Sequence, residues 1–80
     1  MWAYVDLAHG LALWFGSRED VETHYESIRV VSKKMGVIDQ FNERVRLLSS
    51  PGDVDECEMD YMRQTCRLPR RVMMRLRKTA

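Results

Sequence analysis

MWAYVDLAHGLALWFG, residues 1–16, is apolar at almost every position, with Asp6 and His9 as its main interruptions. The architecture turns on whether this run is helix or strand. Wound as a helix, Tyr4, Leu7, Ala8, Leu11, Trp14 and Phe15 take one broad side and Asp6 and His9 sit close together opposite. A helix that greasy belongs at the buried centre of a bundle, or between a bundle and another surface. Gly10 weakens the helix, which leaves a short strand at 11–15 as the alternative.

The same run bears on targeting. It has no basic leader, and its interruptions fit a secretory signal poorly. As a helix it would extend about 24 Å, short of the roughly 30 Å hydrocarbon core of a bilayer. Neither a lipidation motif nor a sorting tail is present. The expectation is a cytoplasmic protein with Cys57 and Cys66 reduced.

Beyond residue 16 the punctuation is regular: Gly16-Ser17, Gly36, Ser49-Ser50-Pro51-Gly52 and Pro69. These breaks divide the chain into helix-length pieces. Ser17 with Asp20 resembles a capping box, and Gly36 suits a helix C-cap. Between them Val21, Tyr25, Ile28, Val31 and Met35 share an arc of roughly 120° at 100° per residue. Val37, Ile38, Phe41, Val45 and Leu48 continue the helical spacing in the third piece. A fourth helix begins after Pro51-Gly52 with acids in its first turn, where the helix dipole favours them. Its face Val54, Cys57, Tyr61 and Leu68 is accompanied by a second stripe of Met59, Met62 and Cys66. After Pro69, Val72, Met73 and Leu76 form one side of a short or kinked basic helix, and Met74 falls within its basic arc.

The fold expected from this reading is all-α. A single domain, residues 1–80, would comprise a compact bundle of about four helices over 1–68 and a basic C-terminal helix or arm over 69–80. Its core would use Trp14, Phe15, Tyr25, Ile28, Val31, Phe41, Val45, Leu48 and Tyr61. At 80 residues the core is small and stability marginal, so a partner or a second copy would supplement it.

Charge is distributed very unevenly. The whole chain carries 13 Lys+Arg against 12 Asp+Glu, with 45% apolar and 31% charged residues. Residues 1–62 hold six basic and twelve acidic side chains, net −6, whereas 63–80 hold seven basic and no acidic ones, net +7. Arginine outnumbers lysine six to one in that block, favouring bidentate contacts to carboxylate or phosphate. The segment can also fold back onto the acidic stretch 53–60.

Catalysis finds no support. Asp6 and His9 can hydrogen-bond at a spacing of three, but no nucleophile motif accompanies them, and a solvated polar strip is the simpler reading. His24 reads as boundary packing, and the four glycines are too scattered for a phosphate-cradling loop. On one helix Cys57 and Cys66 would lie about 13 Å apart along the axis on opposite sides. No metal or cofactor site is therefore expected. Ser32, Met35, Gly36, Val37 and Val45 sit at places that a helix-turn-helix accepts. Asn42 occupies an apolar position of that pattern, and Asp39 and Glu43 would be repelled by phosphate.

The functional expectation is a small non-enzymatic interaction or regulatory protein, with a homodimer compatible. It would bind a protein partner through Met59, Met62, Arg63, Cys66, Arg67, Arg70, Arg71, Met74, Arg75, Arg77 and Lys78, an apolar centre with a basic rim. An inhibitor that occupies the acidic or nucleic-acid-binding surface of a larger machine fits this chemistry. The alternative is a nucleic-acid-binding regulator contacting phosphates through 63–78. That segment has no aromatic residue for base stacking, and its apolar side is too thin for a membrane anchor.

Overall fold

In the computed structural model, which describes residues 1–78, the opening run is a β-hairpin. Strand β1 spans Trp2–Asp6 and β2 spans Leu11–Gly16. They are followed by α1 (Arg18–Lys34), α2 (Ile38–Arg44), β3 (Val45–Ser49), α3 (Glu56–Thr65) and α4 (Arg70–Lys78). The sheet is antiparallel in the order β2-β1-β3. The all-α bundle is thus corrected to an α+β fold.

The error has a physical cause. Trp2 and Tyr4 point to a cluster with Val21, Tyr25, Ile38, Phe41, Val45 and Leu47, built from α1, α2 and β3. Ala3 and Val5 point the other way, to Leu48, Met59, Met62, Leu68 and Val72, which brings in α3 and α4. A strand covered on both faces has no polar alternation, so its sequence resembles that of a buried helix. A bulge adds to the disguise. Tyr4 pairs with Trp14 and Val5 with Ala12, leaving Leu13 as the extra residue. It puts Ala12 and Phe15 on the same face although they are three apart.

Gly10 closes the hairpin with φ +67°, a left-handed conformation in which a side chain is strained. Asp6 shapes the same turn. Its carboxylate accepts the Ala8 N–H at 2.9 Å and lies 2.7 Å from His9 Nδ1. The Asp6–His9 pair is therefore real, but it belongs to a turn and not to a helix face. Although partial burial pushes the Asp6 carboxyl up, these bonds hold it below its usual range.

The third expected helix is also split. α2 ends at Arg44 and the chain enters β3 at Val45 with no intervening loop. Val45 and Leu48 serve opposite faces of the sheet, not one helical stripe.

At the two ends of α1 the described residues show the Ser17 half of the expected capping box and the Gly36 C-cap. Ser17 Oγ accepts the Asp20 N–H at 3.2 Å. At the other end Gly36 N–H donates to Lys33 O and Val37 N–H to Ser32 O, a Schellman ending with Gly36 at φ +75°. Only part of the apolar arc is buried, however. Val21 is inaccessible, whereas Ile28, Val31 and Met35 are 37%, 50% and 71% exposed. Trp14 and Tyr61, also expected in the core, are nearly half exposed. No helix of the described residues is long and apolar enough to cross a membrane.

Candidate functional site

The basic C-terminal third is built by α3, a short bridge and α4. α3 starts with a reciprocal capping box: Asp55 Oδ1 accepts the Glu58 N–H at 2.7 Å, and Glu58 Oε1 accepts the Asp55 N–H at 2.9 Å. The helix stops at Cys66, which takes the left-handed conformation, φ 56°. From there the chain runs beside the start of β2, with Ala12 N–H donating to Cys66 O and Leu68 N–H to Gly10 O. Pro69 then precedes the first turn of α4, whose inner side is Val72, Met73 and Leu76.

Most of the eleven residues expected to form one surface are sorted by this geometry into three groups, with Arg63 and Cys66 apart from them. Met59 and Met62 are core, at 3% and 0% exposure, packed under the sheet with Ala3, Val5 and Leu48. Of the second stripe Met59 and Met62 face the sheet and Cys66 is exposed, while Tyr61 and Cys57, on the other stripe, are exposed as well.

Arg71 and Arg75 form the second group. Arg71 Nε donates to Glu58 Oε2 at 2.7 Å, and Arg75 reaches the same carboxylate at 3.1 and 3.3 Å while also donating to Asp53 O. Arg71 lies 3.8 Å from Asp55 as well. Glu58 is only 4% exposed. Its hydrogen bond to Arg75 outweighs the upward push of burial, and with the Asp55 N–H and Arg71 it holds the carboxyl down at about 2. Arg75 is correspondingly raised by its hydrogen bond to Glu58. Here the basic arm does fold onto the acidic stretch, and these two guanidiniums serve cohesion. A clue lay in the Asp55-x-x-Glu58 spacing, which marks a capping box.

The third group remains on the surface. Arg70, Met74, Arg77 and Lys78 fall within an arc of roughly 100° on the outer side of α4. Met74 is 52% exposed at the middle of that arc. Arg77 makes a long contact of 3.4 Å to Leu7 O. Among the described residues Arg70 and Lys78 form no hydrogen bond or ion pair, nor does the side chain of Arg67, which lies against Leu11 at the sheet edge. Arg63 stands apart, 3.6 Å from Asp60 on α3.

No family model, curated protein or solved structure matches this chain. The chemistry of the surface is therefore the basis for a reading of function. A convex helix face with guanidinium and ammonium groups around one thioether can grip carboxylates or phosphates and bury a small apolar contact.

The residues that sequence reasoning missed are Trp14 and His24. Their rings stack face to face, centroids 4.6 Å apart and planes 9° from parallel. The pairing depends on the Leu13 bulge turning Trp14 toward α1, and no local pattern announces that.

Proposed function

We propose that the protein is a small non-enzymatic interaction module that binds an acidic protein surface through the outer face of α4. The observation that carries this reading is Met74, half exposed among Arg70, Arg77 and Lys78. A monomer gains nothing from a thioether in that place, whereas interfaces are enriched in Met and Arg and centre on apolar contacts. Met59 and Met62 leave the proposed surface, since the sheet covers them. A partner complementary to what remains carries Asp or Glu around a shallow apolar seat, as an acidic amphipathic helix does.

The test compares the full chain with Met74→Ala and with the triple change Arg70→Glu, Arg77→Glu, Lys78→Glu, using an immobilised acidic amphipathic peptide and a duplex DNA as probes. The reading expects peptide binding that both variants reduce, the triple change more strongly. Binding of the duplex alone, with a log–log salt slope near −0.9 per phosphate contacted and no response to Met74→Ala, would transfer the site to nucleic acid.

A further inference from the structure

A different face of the molecule is apolar without being covered. On α1, His24, Ile28, Val31 and Met35 are spaced four, three and four apart. At 100° per residue they occupy an arc of roughly 60°. Ile28, Val31 and Met35 are 37%, 50% and 71% exposed. The Trp14–His24 stack extends the strip onto β2, with Trp14 itself 47% exposed. The 4-3-4 spacing is that of a helix seam that packs against another helix.

Charge identifies the occupant. Along the outer flank of the strip, seven residues apart, stand Asp20, Ser27 and Lys34. An acid marks one end, a base the other, and a small side chain the middle. More broadly, residues 18–26 set Arg18 against Glu19, Asp20, Glu22 and Glu26, net −3, while 27–35 carry Arg29, Lys33 and Lys34 without an acid, net +3. A second copy of the same helix, run antiparallel, places each acidic half against a basic half. A parallel copy would oppose like charges.

We propose that the protein forms a two-fold symmetric dimer in which two α1 helices pack antiparallel through Ile28, Val31 and Met35, with Ser27 near the axis. In that arrangement Asp20 of each copy meets Lys34 of the other. Val31 and Met35 then approach the partner's Trp14–His24 stack, a favourable sulfur–aromatic meeting. An isologous contact of this kind closes on itself and does not propagate. The α4 face lies outside it, so the dimer and the α4 reading stand or fall separately.

Sedimentation velocity of the full chain over a range of concentrations reads the dimer directly. The expected result is a monomer–dimer equilibrium that Val31→Glu with Met35→Glu weakens at least about tenfold. Both positions are exposed, so the far-ultraviolet circular dichroism should be unchanged. Lys34→Asp alone should weaken the dimer, and Asp20→Lys added to it should restore association, a rescue that damage to folding would not give. Ser27→Cys, in a chain with Cys57→Ser and Cys66→Ser, should give a covalent dimer when oxidised glutathione is added, the two thiols passing their electrons and protons to that disulfide. A wild-type chain that stays monomeric throughout, or a dimer indifferent to Val31→Glu with Met35→Glu, overturns the proposal.

Discussion

Arg75 grips Glu58 with both terminal nitrogens, Nη1 on Oε2 at 3.1 Å and Nη2 on Oε1 at 3.3 Å, joining α4 to the first turn of α3 across seventeen residues. Arg71 completes the group from one turn earlier, at 2.7 Å. Because Glu58 is buried and the two guanidiniums are about half exposed or more, the cluster is a clasp closed on its acidic side and wet on its basic side.

That clasp makes stability depend on acid. The Glu58 carboxyl sits at about 2 in the folded chain against 4.5 when free. A depressed carboxyl contributes stability in full above its free value and loses it as pH falls from about 4.5 toward 2. We expect Glu58→Gln to cost about 2 kcal/mol at pH 7, allowing for solvent screening at the arginines, and far less near pH 2. Urea unfolding of both proteins at the two pH values checks this. An equal deficit at both would show that the carboxylate's charge is not what stabilises the fold, since Gln keeps the capping-box acceptor.

The two methionines one helix apart should behave oppositely. Met62 is completely buried, so Met62→Ala should cost about 2–5 kcal/mol, much of what a chain this size possesses. Met74→Ala, on the outer face of α4, should stay within about 0.5 kcal/mol. Thermal melts followed at 222 nm distinguish them, and a comparable loss at Met74 would mean that its side chain is not on the surface.

Cys66 ends α3 in a conformation that suits glycine. Cys66→Gly removes the clash of Cβ with its own backbone and should stabilise by about 0.5–1 kcal/mol, raising Tm by several degrees. The exposed thiol makes no packing contribution large enough to offset this. A lowered Tm would refute the account of this helix end.

Gly10 presents the reverse case. A Cβ there would come 3.1 Å from the Met73 sulfur and would face a backbone at φ +67°. Gly10→Ala should therefore cost about 1–2 kcal/mol. In a double-mutant cycle Met73→Ala should recover only the crowding portion, since the backbone strain persists. Complete recovery would show that crowding alone fixes the glycine.

How far the sequence was legible follows from where each signal originates. Ser17, Gly36, the Asp53–Glu58 acids and Pro69 act on neighbours within one helical turn, and α1, α3 and α4 were readable from them. Trp2, Ala3, Tyr4 and Val5 owe their character to partners well beyond their own turn of chain, on α1 and α3, and nothing nearby separates a strand clothed on both sides from a buried helix. Val45 and Leu48 were misassigned because a spacing of three also fits a strand that serves two faces. For the proposed binding surface, the sequence marked Met74 within one basic arc of Arg70, Arg71, Arg75, Arg77 and Lys78, so that Met74, Arg70, Arg77 and Lys78 were included. It could not separate them from Arg71 and Arg75, because that division depends on how α4 lies over Glu58.

β1 is paired on both edges, and its second partner is far downstream: Trp2 lies opposite Ser49 and Asp6 opposite Val45. During synthesis β1 must wait for about forty further residues before its outer edge is satisfied. Until then an oily ribbon with open amides is at risk of joining a neighbouring nascent chain. Closing so long a loop also delays assembly of the sheet, because chain entropy opposes it until β3 arrives. Fragments that stop before residue 45 should accordingly collect in inclusion bodies.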